Sequence, residues 1–111
     1  MNVPAAVDLI ATIDVPRDHL AQVLEMLEEY GDVVRSEPGN QRFEVYSSDA
    51  ADHSVVVVER YVSQAAFQEH LDHPANTAFN RALGELLGGV NSKLEFLRAQ
   101  APASPRAAAT G

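Results

Sequence analysis

Cysteine is absent from this chain, which removes in one step disulfide frameworks, thiolate zinc sites, iron–sulfur ligation and a cysteine nucleophile. Long apolar runs are absent too. No stretch approaches membrane-spanning length, and the first eight residues, Met-Asn-Val-Pro-Ala-Ala-Val-Asp, hold neither a basic leader nor an extended apolar segment. A cytoplasmic protein with no membrane partner is expected. Basic residues are scarce, with eight Lys and Arg against sixteen Asp and Glu and a formal charge of −8. That balance repels a polyphosphate backbone or an anionic bilayer, so nucleic acid is not an expected partner. The acidic excess is concentrated at Asp18, Glu25, Glu28, Glu29 and Asp32, which reads as one solvated helix face. There is also no Gly-rich dinucleotide fingerprint, no phosphate-binding loop and no acidic cluster of metal-binding spacing. Neither cofactor nor metal is therefore expected.

With 111 residues, 46% of them hydrophobic, the chain has room for one compact domain. Val7, Leu9, Ala11, Ile13 and Val15 alternate along residues 7–15, with Ile10 among the polar residues opposite, and predict a strand. Leu20, Val23, Leu24, Leu27, Tyr30 and Val34 then recur at helical spacing through residue 35. Glu37-Pro38-Gly39-Asn40 stops that helix, because the residue before proline avoids helical dihedrals and glycine suits a tight turn. A second strand follows over Arg42–Ser47, with Phe43 and Val45 on one face. After a polar turn at residues 48–53, the run 54–62 is apolar on both faces, as in a strand buried on both sides.

Ser63 is a fitting N-cap for a short helix that places Ala66, Phe67, His70 and Leu71 on one side. Pro74 interrupts it. A further helix over roughly 75–88 aligns Phe79, Ala82, Leu83, Leu86 and Leu87 and ends at Gly88-Gly89. Residues 90–97 alternate as a last strand. The order βαββααβ is that of an α+β, ferredoxin-like domain with a four-stranded antiparallel sheet, spanning residues 1–98. Residues 99–111, rich in alanine and proline, are expected to be a disordered tail. Helices can cover one face of such a sheet, yet the first and third strands carry bulky apolar residues on both. A second copy is the expected cover, giving a homodimer.

Glu37-Pro38-Gly39-Asn40, then Val57-Val58-Glu59-Arg60-Tyr61-Val62-Ser63, then Phe67 with His70, resemble in order and spacing the antibiotic biosynthesis monooxygenase family. The similarity spans residues 7–97. It implies a dimeric α/β barrel in which each subunit keeps a pocket between sheet and helices. Some members oxygenate anthrones or quinols without metal or flavin, since an electron-rich phenolate or enolate can itself reduce dioxygen. The protein then has only to bind, deprotonate and shield. Haem-degrading members use an Asn in the first strand and a Trp and a His ten residues apart. Here residues 7–15 hold no Asn, and the other two positions fall on His70 and Asn80. Quinone-forming members often carry Trp two residues beyond the strand Glu, where this chain has Tyr61.

The implied activity is a cofactor-independent monooxygenase acting on a small aromatic, quinol-like or anthrone-like molecule and dioxygen. A non-catalytic dimeric module for small ligands, a stress-response protein or an isomerase on the same barrel are the alternatives. His70, on the inward stripe of its helix, reads either as a general base or as a half-buried histidine bonded to a carbonyl or carboxylate. Glu59 interrupts four valines, so its carboxylate needs a partner or a raised pKa. An ion pair with Arg42 is one reading, a pocket-lining group the other. Tyr61 shares the face of Glu59 and is a candidate hydrogen-bond donor. Asn40 closes the turn signature, either satisfying its own backbone or orienting a polar group near the pocket mouth. Phe43, Phe67 and Phe79 are core residues or walls for a flat substrate.

Overall fold

The computed structural model describes residues 5–48, 54–89 and 92–100. Its elements are β1 (Val7–Asp14), a single 3₁₀ turn (Arg17–His19), α1 (Leu20–Arg35), β2 (Asn40–Ser47), β3 (Ser54–Tyr61), α2 (Gln64–Asp72), α3 (Pro74–Leu87) and β4 (Lys93–Leu97). The four strands form one antiparallel sheet in the order β2-β3-β1-β4, which is the ferredoxin-like α+β arrangement. Most of the predicted 48–53 turn, with His53, lies outside the described residues, as do Val90, Asn91 and residues 101–111.

Alternation along β1 has the consequence its sequence predicts. Leu9, Ala11, Ile13 and the following Val15 are buried beneath the helices, together with Phe43 of β2 and Val55 and Val57 of β3. Val23, Leu27, Tyr30 and Val34 of α1 and Leu83 of α3 close on them from above. Fully burying a side chain such as Leu9, Ile13 or Leu27 contributes about 1.5–3 kcal/mol each, so this layer holds the helices to the sheet. A smaller cluster, Leu9, Tyr61 and Phe67, forms at the far end of β3. Glu59 stands between the two, one pleat from Val57 and one from Tyr61.

Caps and turns follow local chemistry. Ser63 Oγ accepts the Ala66 amide at 3.1 Å and starts α2. His73 Nδ1 accepts the Ala75 amide at 3.0 Å and starts α3, with Pro74 at its first position. Gly88, at φ +75°, ends α3 in the left-handed conformation that favours glycine. The turn from α1 to β2 is pinned at both sides: the Val62 amide donates to the Gly39 carbonyl at 2.9 Å, and Gly39 lies directly against Ala66 of α2. A Cβ at position 39 would collide with the Ala66 methyl. Gly39→Ala is therefore expected to lower stability by about 1–3 kcal/mol in urea unfolding, with part of the loss recovered when Ala66→Gly is added. An unchanged midpoint in the single variant would contradict this packing.

Among the described residues no helix lies over the other sheet face. Ile10, Val56 and Val58 stand on it half-buried, flanked by exposed Tyr46 and Leu97. Arg42 also projects from this face, opposite Arg60, and binds Glu44 on its own strand at 2.9 Å. The anticipated Arg42–Glu59 pair is thus replaced by another arrangement. Phe43 lies opposite Glu59 on the inward face, and Arg42, next to Phe43 along the strand, projects from the opposite side of the sheet.

Candidate functional site

Between the sheet and the three helices lies a cavity of about 380 Å³, within the range of small-molecule sites. Its sheet side is apolar except for Glu59, and Tyr30, Phe67 and Phe79 supply aromatic walls from the helices. Exposed Leu71, Asn80 and Leu94 mark its mouth. Tyr30 and Phe79 stack in parallel with ring centres 4.3 Å apart, while Phe43 meets Tyr30 edge-on at 5.7 Å. A flat aromatic guest matches such walls.

The polar residues of the cavity form two groups. In the first, buried His70 lies between two carboxylates: Nδ1 is 3.1 and 3.2 Å from the two oxygens of Glu37, and Nε2 is 3.9 Å from Glu59 Oε1. The same Glu59 oxygen accepts the Tyr61 hydroxyl at 2.7 Å. Burial raises the Glu59 carboxyl to about 7, offset in part by the Tyr61 hydrogen bond and reinforced by the negative charge of Glu37. Burial and the Glu59 charge also push the Tyr61 phenol upward, so it remains a donor. In the second group, Asn80 Nδ2 donates to Asn76 Oδ1 at 3.2 Å, and Asn76 Nδ2 donates to the Tyr30 hydroxyl at 2.9 Å. Burial raises Tyr30 to about 12, against the opposing effect of Asn76. Its phenol therefore keeps a proton near neutral pH, and among the described residues no acceptor takes that proton.

The residues singled out from the sequence divide accordingly. His70, Glu59, Phe43, Phe67 and Phe79 line the cavity. Tyr61 does not; it is fully buried behind Glu59 and reaches the cavity through that carboxylate. Asn40 does not reach the cavity mouth either. Its amide donates to the Arg42 carbonyl at 3.1 Å and its backbone N–H to the Glu37 carbonyl, so its side chain is committed to the turn. Sequence reasoning missed Tyr30, Asn76 and Asn80 as site residues and took Glu37 for a turn residue alone. One signal for Asn76 and Asn80 was available: two amides four residues apart bracket Phe79 on a helix whose other inward positions are apolar. Among the described residues no group of three or more His, Asp or Glu side chains is placed to hold a metal ion, and no helix is long and apolar enough to cross a membrane.

Comparison with known proteins agrees with this architecture. Rv0793 of Mycobacterium tuberculosis superposes with a TM-score of 0.78 at 26% identity, covering 90% of this chain and 100% of that one. A candidate antibiotic biosynthesis monooxygenase from Caulobacter crescentus gives 0.80 at 22% identity, covering 89% and 93%. PA3566 of Pseudomonas aeruginosa gives 0.78 at 22%, covering 91% and 100%. No curated protein matches the sequence significantly. The sequence pattern of one family spans residues 7–82, from β1 through both carboxylates and His70 into α3, and the chain belongs to the antibiotic biosynthesis monooxygenase family.

Proposed function

We propose that the protein is a dimeric, cofactor-independent monooxygenase that oxygenates a small electron-rich aromatic, of the anthrone or quinol kind, with His70 as its general base. The observation that carries this reading is the placement of His70 between two carboxylates on the wall of an otherwise apolar, aromatic cavity. For an anthrone-like methylene the steps balance as follows. His70 takes one C–H proton, and the resulting carbanion gives an electron to dioxygen. Recombination of radical and superoxide forms a C–O bond, and the proton held on His70 is returned to the peroxide. Loss of the second C–H proton to His70 then breaks the O–O bond, leaving a carbonyl on the ring system. The departing hydroxide collects that proton as water. The chain supplies a base used twice, walls that exclude water, and the Tyr30 phenol as a donor to the enolate oxygen.

The homodimer is supported by the uncovered sheet face, where Ile10, Val56 and Val58 form an apolar strip flanked by Tyr46 and Leu97. Light scattering is expected to give twice the chain mass at micromolar concentration, and Val58→Lys, at the centre of the strip, is expected to give monomer. A parent protein that is monomeric at every concentration tested would contradict the dimer. Oxygen uptake tests the activity: a panel of anthrones and quinols should include a compound that drives consumption of dissolved oxygen, whereas a binding module leaves oxygen unchanged while still taking up ligand.

A further inference from the structure

The turn Glu37-Pro38-Gly39-Asn40 contacts α2 at two points. Gly39 rests on Ala66, and Glu37 reaches His70 with both carboxylate oxygens. Ala66 and His70 are four residues apart and so lie one above the other on the same helix face. The glycine allows the backbone to approach at the first point and thereby delivers the carboxylate at the second. Glu37 is held in place from its own side as well. Its N–H donates to the Val34 carbonyl at 2.9 Å, its carbonyl accepts the Asn40 amide at 3.0 Å, and proline follows it. A turn with this many attachments is more than a connection between a helix and a strand.

We infer that Glu37 is the positioning residue of the base, fixing the proton of His70 on Nδ1 so that Nε2 is the basic nitrogen presented to Glu59 and the cavity. This rests on the reading of His70 as the base. The chemistry is that of an acceptor-only group: a carboxylate has no proton to give, so the imidazole nitrogen that meets both its oxygens carries the hydrogen. The other nitrogen is then a lone pair, and at 3.9 Å from Glu59 it is not consumed by a direct hydrogen bond. Glu37 does not line the cavity and acts on substrate only through His70. The titratable groups facing the imidazole are Glu37 from the turn, Glu59 and Tyr61 from β3, and Tyr30 from α1, whose ring centre is 6.3 Å away. Among the described residues only Glu37 contacts Nδ1, which is why the tautomer is assigned to it.

Long-range ¹H–¹⁵N correlation spectra of the full-length protein, at a pH above the imidazole titration, read the tautomer directly and need no substrate. The expected pattern for His70 is a protonated Nδ1 and a bare Nε2. A His70 with its proton on Nε2 overturns the inference. Glu37→Gln places an amide at the same site and removes the carboxylate, so it is expected to shift the His70 population toward the Nε2–H form. It is also expected to lower kcat at least tenfold with KM changed less than twofold, and Glu37→Asp should restore part of the rate. An unaltered tautomer and unaltered kcat in folded Glu37→Gln would overturn the role. If the tautomer is as inferred and no compound drives oxygen uptake, the oxygenase reading falls and the positioning by Glu37 stands.

Discussion

Replacing His70 by alanine is expected to slow turnover by on the order of a hundredfold or more per folded molecule, the usual scale for loss of a general base. The same substitution should also destabilise the protein. His70 is buried, its ring packs 4.8 Å from Tyr61, and its removal leaves Glu37 and Glu59 facing an empty volume. Loss of a buried hydrogen-bonding partner costs on the order of 1–3 kcal/mol. Rate and stability must therefore be measured on the same sample, with the rate normalised to the folded fraction. The vacated volume offers a sharper control. Free imidazole is expected to enter it and recover part of the activity, more effectively as pH rises and the neutral form accumulates. Normal turnover per folded molecule would remove His70 from the catalytic machinery and leave it the structural role of a buried, bonded histidine.

Glu59→Gln is expected to make the protein more stable at pH 8, by on the order of 3 kcal/mol. The carboxyl is raised from 4.5 to about 7 by burial, and each tenfold in proton affinity is worth about 1.4 kcal/mol. The direction follows from linkage. Between pH 4.5 and about 7 the folded protein retains a proton that the unfolded chain has lost, so stability declines as pH rises through that window. Above it the folded state carries the full cost of a buried charge. Gln has no such titration and still accepts the Tyr61 hydroxyl. Variant and parent should therefore unfold alike below pH 4.5 and differ most above pH 7 in chemical denaturation. A variant less stable than the parent at pH 8 would show that the ionised carboxylate is compensated within the fold.

The strands and helices were legible because period-two and period-3.6 patterns are written by burial itself. Leu9, Ala11, Ile13 and Val15 sit on one face of the sheet, and Phe67 and His70 lie on the inward face of α2, because the alternative exposes them to water. Glu59 was conspicuous for the same reason, a carboxylate where the pattern requires an apolar group. Its partners were not legible. Alternation in β2 already sets Arg42 on the face opposite Phe43, but the pairing of β2 with β3 that puts Phe43 across from Glu59 depends on a register that local pattern does not encode. Glu37 and His70 are 33 residues apart in sequence, and only the approach of Gly39 to Ala66 brings them together. Tyr30 was visible as part of the inward stripe of α1, but its hydroxyl became a site group only through Asn76 of α3. Local pattern thus predicts which face a residue occupies, while partnership across elements depends on turns and registers set by tertiary packing.

Two features of this site have one cause. The aromatic walls and apolar sheet face that would hold a flat substrate also keep water from Glu59 and His70, and the same burial raises the Glu59 carboxyl. The proposed reaction returns to the peroxide the proton that His70 takes from substrate, and a site closed to water keeps that proton from being lost between the two steps.

The most direct test of the proposed reaction is incorporation of ¹⁸O₂ by metal-stripped protein incubated with anthrone-like and quinol-like compounds. The expected result is one labelled oxygen atom in the organic product and the other in water, with one dioxygen consumed per product and a rate lost on His70→Ala. Product free of label, or label appearing equally with the His70→Ala protein, would contradict it.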